Sequence, residues 1–200
     1  MNKTLPVLGK FLITATYGQT GKYWKNGHKG LDFVADNRNV YAVTSGKVRV
    51  VAYDDGGWGQ YISVGDADGR RHIYCHIVRG SVRVKVGQTV KASDVLAVMG
   101  DSGNATGVHL HYELHDKDDK VIDPATFLGV PNKAGTYNSA DFGQYVDEDE
   151  ISTWARPAVS EVTGAGLMLG DDQGRFRPRD PVTRQELAVV LDRLLEKMRW

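Results

Sequence analysis

Between residues 10 and 128 the apolar positions come in short runs, most of them alternating with polar ones and separated by glycine, asparagine and aspartate. A period of two is the mark of a half-buried strand, since successive side chains of extended chain point to opposite faces. The clearest predicted strands are 48–52, 60–64, 71–77, 95–99 and 109–114, and 54–57 and 66–69 read as hairpin turns. No convincing helix falls in this span. The expected architecture is a mostly β domain, an antiparallel sheet with an open groove across one face, with Tyr23, Trp24, Trp58 and Tyr112 as candidate groove walls.

Past residue 128 the pattern changes. A stretch rich in glycine, asparagine, proline and alanine has no periodicity and reads as a linker. From 152 the chain turns helical, with Pro157 tolerable in a first turn, an end somewhere in the glycine-bearing 164–170 stretch and a turn at 171–174. Thr183-Arg184-Gln185-Glu186 has the form of a capping box, Thr183 as N-cap and Glu186 at the third position. Leu187, Val190, Leu191, Leu194 and Met198 then form one apolar stripe, which reads as the core of a small α-helical C-terminal domain. The division expected is 1–129, a linker over 130–146, and 147–200.

Chemistry concentrates in the first part. On a strand, His109, His111 and Glu113 share one side and Leu110, Tyr112 and Leu114 the other, so a polar face carries two imidazoles behind a glycine-rich loop. Imidazole is the commonest protein metal ligand and the side chain best matched to proton transfer near neutral pH. His28 and Asp32 flank a loop-to-strand junction and can converge on one ion if Gly30 lets the chain turn. Three ligands drawn from His and Asp with a fourth position open is the pattern of a catalytic zinc site. In 71–77, His72, Tyr74 and His76 alternate with Ile73, Cys75 and Ile77, which assigns the second set to the core and one histidine to a shared cleft. Taken singly these residues have ordinary uses: strand histidines, a turn-capping carboxylate, a surface imidazole.

Together they carry a resemblance. His28-x-x-x-Asp32, Tyr74-Cys75-His76-Ile77 and the loop ending His109-Leu110-His111 occur in the order found in the lysostaphin-type (LytM-like) zinc endopeptidases of bacterial cell walls, and the likeness runs from about Thr14 to Leu128. The resemblance implies that His28, Asp32 and His111 bind Zn2+ and that His76 and His109 are the catalytic histidines beside it. Val108 and Ile77 stand where proline and leucine are common, and neither change removes a functional group. His72 and His115 read as peripheral.

Composition adds exclusions. Two hundred residues allow one medium and one small domain, and 41% apolar residues suffice for a core in the larger. Formal net charge is zero with no basic stripe, which argues against nucleic acid, and no apolar run reaches membrane-spanning length. Cys75 is the single cysteine, so no intrachain disulfide forms, and its alternation with His76 argues against a cysteine nucleophile. Pro6 and Lys10 interrupt the N-terminal apolar stretch, so no signal peptide is read. The expectation is a protein made in a host cytoplasm that reaches the wall after release, as a phage endolysin does.

The tail resembles an S-layer-homology repeat: Trp154-Ala155, the Gly170–Pro178 segment and Pro181-Val182-Thr183-Arg184-Gln185-Glu186-Leu187 match its motifs. This resemblance implies binding of secondary cell-wall polysaccharide through Arg184. A single small repeat buries little core, so it is expected to lean on the first domain or to pair weakly with a second copy. The function expected is peptidoglycan hydrolysis at peptide cross-links, with a D-alanyl–diaminopimelate bond favoured over a polyglycine bridge. The alternatives are an inactive wall-binding or regulatory relative, disfavoured because all three metal ligands are kept, and a cellular wall-remodelling endopeptidase.

Overall fold

The alternating runs become strands. The computed structural model describes residues 3–142, 145–171 and 174–198. In chain order the strands are β1 (Lys10–Ala15), β2 (Leu31–Ala35), β3 (Asn39–Tyr41), β4 (Gly46–Asp54), β5 (Gly59–Gly65), β6 (Arg71–Cys75), β7 (Thr89–Val90), β8 (Val95–Val98), β9 (Leu110–His115), β10 (Val121–Ile122) and β11 (Gly135–Asn138). The main sheet runs β11-β1-β2-β9-β6-β5-β4-β7, with β10 also on β9, and β3 pairs separately with β8. Every pairing is antiparallel.

One face of this sheet makes the core. Phe11, Phe33, Tyr74, Leu110 and Tyr112 are fully buried on it, and Val40, Leu96 and Ala97 of the small β3–β8 pair pack against them. The Phe11 and Phe33 rings meet edge-on at 5.7 Å. Burying a side chain of that size is worth about 1.5–3 kcal/mol. Tyr112, a candidate groove wall by sequence, belongs to this core, with its hydroxyl 2.7 Å from His72 Nδ1.

Strand β9 lies between β2 and β6 and is buried along its whole length, polar residues included. The faces of β6 are the reverse of those read from sequence. Cross-strand partners share a face, and register pairs Cys75 with His111, Ile73 with Glu113 and Arg71 with His115. Tyr74 and His72 pair with Tyr112 and Leu114 instead, so they point into the core. There the Tyr74 hydroxyl accepts from the Val43 N–H at 2.8 Å, and His72 approaches Asp66 at 3.3 Å. The strand stops at Cys75, and His76 adopts a left-handed φ of 60°, which breaks the alternation.

Two further departures lie at the end of the sheet. A short helix, α1 (Pro124–Leu128), follows β10, with Asp123 Oδ1 accepting the Ala125 N–H at 2.8 Å. It is too short for periodicity to register, although Asp-Pro is a good helix start. Part of the segment read as linker is β11, an edge strand on β1 whose Tyr137 packs on Phe11.

In the tail, α2 (Arg156–Gly164) and α3 (Arg184–Met198) form as expected. The capping box is reciprocal: the Thr183 N–H donates to Glu186 Oε2 at 2.8 Å and the Glu186 N–H to Thr183 Oγ1 at 3.1 Å. Asp172 and Gln173 of the predicted turn, Gly143 and Gln144 of the predicted linker, and Met1, Asn2, Arg199 and Trp200 at the ends lie outside the described residues. The core beside α2 is small, built on Ala140, Tyr145 and Ile151 with Val159 and Phe176. The stripe on α3 is not a core: Leu187 is 46%, Leu191 50%, Leu194 38% and Met198 71% exposed, and no described residue of α3 is buried. Capping satisfies N–H groups of the first turn, while among the described residues the apolar stripe stays largely exposed.

Candidate functional site

Asp32 and His111 are cross-strand partners on β2 and β9, so the sheet itself sets one carboxylate beside one imidazole. His28 comes from the loop before β2, where its N–H donates to Gln19 O and its carbonyl accepts from Gly18, both at 2.8 Å. Trp24 covers its ring at 4.6 Å. Gly30 serves close approach rather than a turn: a Cβ there would lie 2.4 Å from Tyr112 O and 2.8 Å from His111 Cε1. The result is a tight triangle. His28 Nε2 is 3.0 Å from His111 Nδ1 and 3.1 Å from Asp32 Oδ1, which is 2.7 Å from His111 Nδ1. All three residues are buried, and among the described residues they form the one His/Cys/Asp/Glu group with metal-ligand spacing.

His76 and His109 stand beside this triangle, their rings 4.6 Å apart and that of His76 5.9 Å from His111. His109 Nε2 is 3.8 Å from Asp32 Oδ2. His76 reaches this position through its left-handed backbone, and the glycine-rich loop locks it there. Ser102 Oγ donates to Ile77 O at 2.8 Å and accepts from the Gln60 N–H at 2.9 Å, while Ser102 O accepts from His76 Nδ1 at 2.8 Å. Gly103 allows this docking, because a Cβ on it would lie 2.4 Å from Gly59 N.

Electrostatics follow from burial. Burial alone would raise the Asp32 carboxyl, but hydrogen bonds to His111 and His28 hold it well below the usual carboxylate range. Burial would lower His111, and its bonds to Asp32 and Glu113 outweigh that and raise it to about 9. His76 has no carboxylate bonded to it, so burial prevails and lowers it to about 4. Cys75, opposite His111, is fully buried and burial pushes its thiol well up, which removes it as a nucleophile.

The cleft over these groups has a volume of about 910 Å3 and is walled by Tyr23, Trp24 and Trp58, with Lys22, Lys25 and Lys29 along the rim. All five sequence-derived site residues of the first domain therefore meet at one place. Arg184 does not: it is exposed at the start of α3, in the tail. Sequence reasoning passed over Ser102 and Glu113. For Glu113 the signal was present, since the alternation that pairs His109 with His111 also carries Glu113 and His115 on the same face.

Residues 26–124 match the model of peptidase family M23, and residues 144–188 that of the S-layer homology domain. An uncharacterised metalloprotease of Haemophilus influenzae is 36% identical over 120 residues, covering 60% of this chain and 24% of the relative. Endolysin 2638A of Staphylococcus phage 2638A is 39% identical over 97 residues, covering 46% and 20%. The chain thus spans about a quarter or less of the length of these two curated relatives. Among solved structures, the catalytic domain of lysostaphin from Staphylococcus simulans superposes with a TM-score of 0.54 at 30% identity, over 61% of this chain and 92% of that domain. With its family motif, its fold and nine-tenths of a catalytic domain matched at 30% identity, the chain belongs to peptidase family M23, and it carries an S-layer homology domain behind the peptidase fold.

Proposed function

We propose that this protein is a peptidoglycan hydrolase of the endolysin type, cutting peptide cross-links with one zinc ion held by His28, Asp32 and His111. The observation that carries the reading is the convergence of those three ligand atoms on the floor of an open cleft, with His76 and His109 beside them. Two imidazole nitrogens and a carboxylate oxygen suit zinc and leave room for a water or a substrate. When bound, zinc supplies the positive charge that acidifies water and polarises a scissile carbonyl. The two catalytic histidines do the proton work. His76, lowered to about 4, is neutral at pH 7, and the Ser102 carbonyl occupies its Nδ1–H, which leaves the Nε2 lone pair free to accept a proton. His109 is held in the same manner by Gly107 O at 2.8 Å, so its Nε2 also faces the reacting groups. Between them they cover the two needs of peptide hydrolysis, accepting a proton from water and supporting the oxyanion.

The lysines on the cleft rim favour a substrate with free carboxylates over an uncharged polyglycine bridge, which supports a cross-link through diaminopimelate. The S-layer homology domain supports a wall-directed tail, with Arg184 as its polysaccharide contact. Mass spectrometry of purified wall digested by the full chain tests the reading. New D-alanyl carboxyl ends and diaminopimelate amino ends are expected. Polyglycine fragments would overturn the bond assignment, and the release of no peptide would overturn the hydrolase.

A further inference from the structure

Each of the four histidines at the site has one ring nitrogen turned inward and the other engaged behind. For three of them the partner behind is main chain: Thr16 O for His28 at 3.0 Å, Ser102 O for His76 at 2.8 Å and Gly107 O for His109 at 2.8 Å. His111 differs. Its Nε2–H donates to a side-chain carboxylate, Glu113 Oε1, at 2.9 Å. Glu113 is 2% exposed and engaged at both oxygens, with the Trp58 indole N–H donating to Oε1 at 3.2 Å and His115 Nε2 to Oε2 at 2.9 Å. His115 is anchored in turn by Asp119, which Arg71 also holds.

We infer that Glu113 is the positioning residue of the metal site, fixing the ring and tautomer of His111 so that Nδ1 faces the ion, and tying the Trp58 wall of the cleft to the same carboxylate. An imidazole presents one lone pair, and whichever nitrogen carries the proton leaves the other for the metal. A carboxylate accepts and never donates when ionised, so Glu113 admits only the tautomer protonated at Nε2. Such partners behind a ligand orient it and raise its basicity. His111 has no main-chain acceptor in that role, so here the orientation depends on a residue that substitution can remove. Because Trp58 lines the cleft, one carboxylate couples the metal ligand to the surface on which a substrate lies.

The inference rests on the zinc reading proposed above, and one experiment separates the two. Zinc affinity of the full chain is measured by chelator competition for the wild type, Glu113→Gln and Trp58→Phe, with thermal melting of each zinc-free protein. Glu113→Gln conserves volume and is expected to bind zinc 10–100-fold more weakly, while the zinc-free protein still folds and melts cooperatively at a somewhat lower temperature. Trp58→Phe keeps an aromatic side chain but loses the indole N–H and its second ring; it should raise KM more than it lowers kcat, and unchanged KM would overturn the Trp58 part of the coupling. Nitrogen-15 spectra of the zinc-loaded wild type should show His111 protonated at Nε2 and coordinated through Nδ1, a readout independent of whether any variant folds. Absence of zinc binding by the wild type would overturn the zinc reading itself. Wild-type binding with equal affinity in folded Glu113→Gln, or coordination of His111 through Nε2, would overturn the role of Glu113 alone.

Discussion

Strand β9 and helix α3 are both amphipathic segments, and the molecule treats them in opposite ways. In β9 the apolar face enters the core and the polar face is buried as well, so each of its polar side chains must find a partner and does. Position there is over-determined by neighbouring strands on both sides. In α3 the local rules are satisfied, with a reciprocal capping box and a clean apolar stripe, yet its leucines remain a third to a half exposed. Local chemistry is enough to start and stop a helix. Fixing where a side chain lies takes tertiary partners, which β9 has on both sides.

The largest effects should therefore come from single substitutions at the site that β9 and its neighbours position. His111→Ala is expected to lose both zinc and turnover, whereas His76→Ala and His109→Ala should keep most of their zinc while kcat falls by about 10²–10⁴-fold. Metal analysis beside initial rates of wall cleavage checks this. Release of the metal by His109→Ala with retention by His111→Ala would invert the assignment within the pair.

Stability should divide along the same line. Phe33→Ala, in the core, is expected to cost about 3–5 kcal/mol in denaturant unfolding. Leu191→Ala on α3 should cost no more than about 0.5 kcal/mol. A loss above about 2 kcal/mol at Leu191 would mean that the stripe is covered in solution and would erase the contrast.

A smaller effect tests the polar interior away from the cleft. The Asp66 carboxylate, its side chain fully buried, bonds Arg70 Nε at 2.8 Å and the Asp68 and Arg70 N–H groups at 2.9 Å. Burial works to raise Asp66, but these bonds and the Arg70 charge win and lower it. A carboxyl lowered in the folded state adds stability above its unfolded pKa, about 3.9, and loses it as pH falls through the folded value. Asp66→Asn should thus cost about 1–2 kcal/mol at pH 7, and its melting temperature should converge on that of the wild type below about pH 3. A gap that stayed constant with pH would mean that charge plays no part there.

What could be read from sequence follows the same divide. His28, Asp32, His76, His109 and His111 were legible through short spacings and through the family resemblance that their order along the chain carries, and the register of β2 with β9 sets Asp32 beside His111. The faces of β6 were not legible. Alternation was counted through His76, whose left-handed backbone resets the phase, and nothing in a single residue name announces φ of 60°. Tyr112 is a groove-wall candidate only as an aromatic; alternation already sets it with Leu110 and Leu114 on the face opposite the histidines, and that face is the core. Glu113 sits in the right phase, yet nothing in consecutive residues shows that its carboxylate closes onto His111, His115 and Trp58. For α3, capping and stripe are written in consecutive residues. Whether another surface meets that stripe is a tertiary fact.

In the function proposed above, the β2–β9 register builds a zinc site on which peptide cleavage depends. The most direct test strips the full chain with a chelator and titrates zinc back while following release of amino groups from purified wall. The stripped protein should cleave nothing and recover with saturation at one zinc per chain, with Asp32→Ala failing to recover at any zinc concentration that restores the wild type. Full cleavage by the stripped protein, or normal recovery in Asp32→Ala, would contradict that dependence.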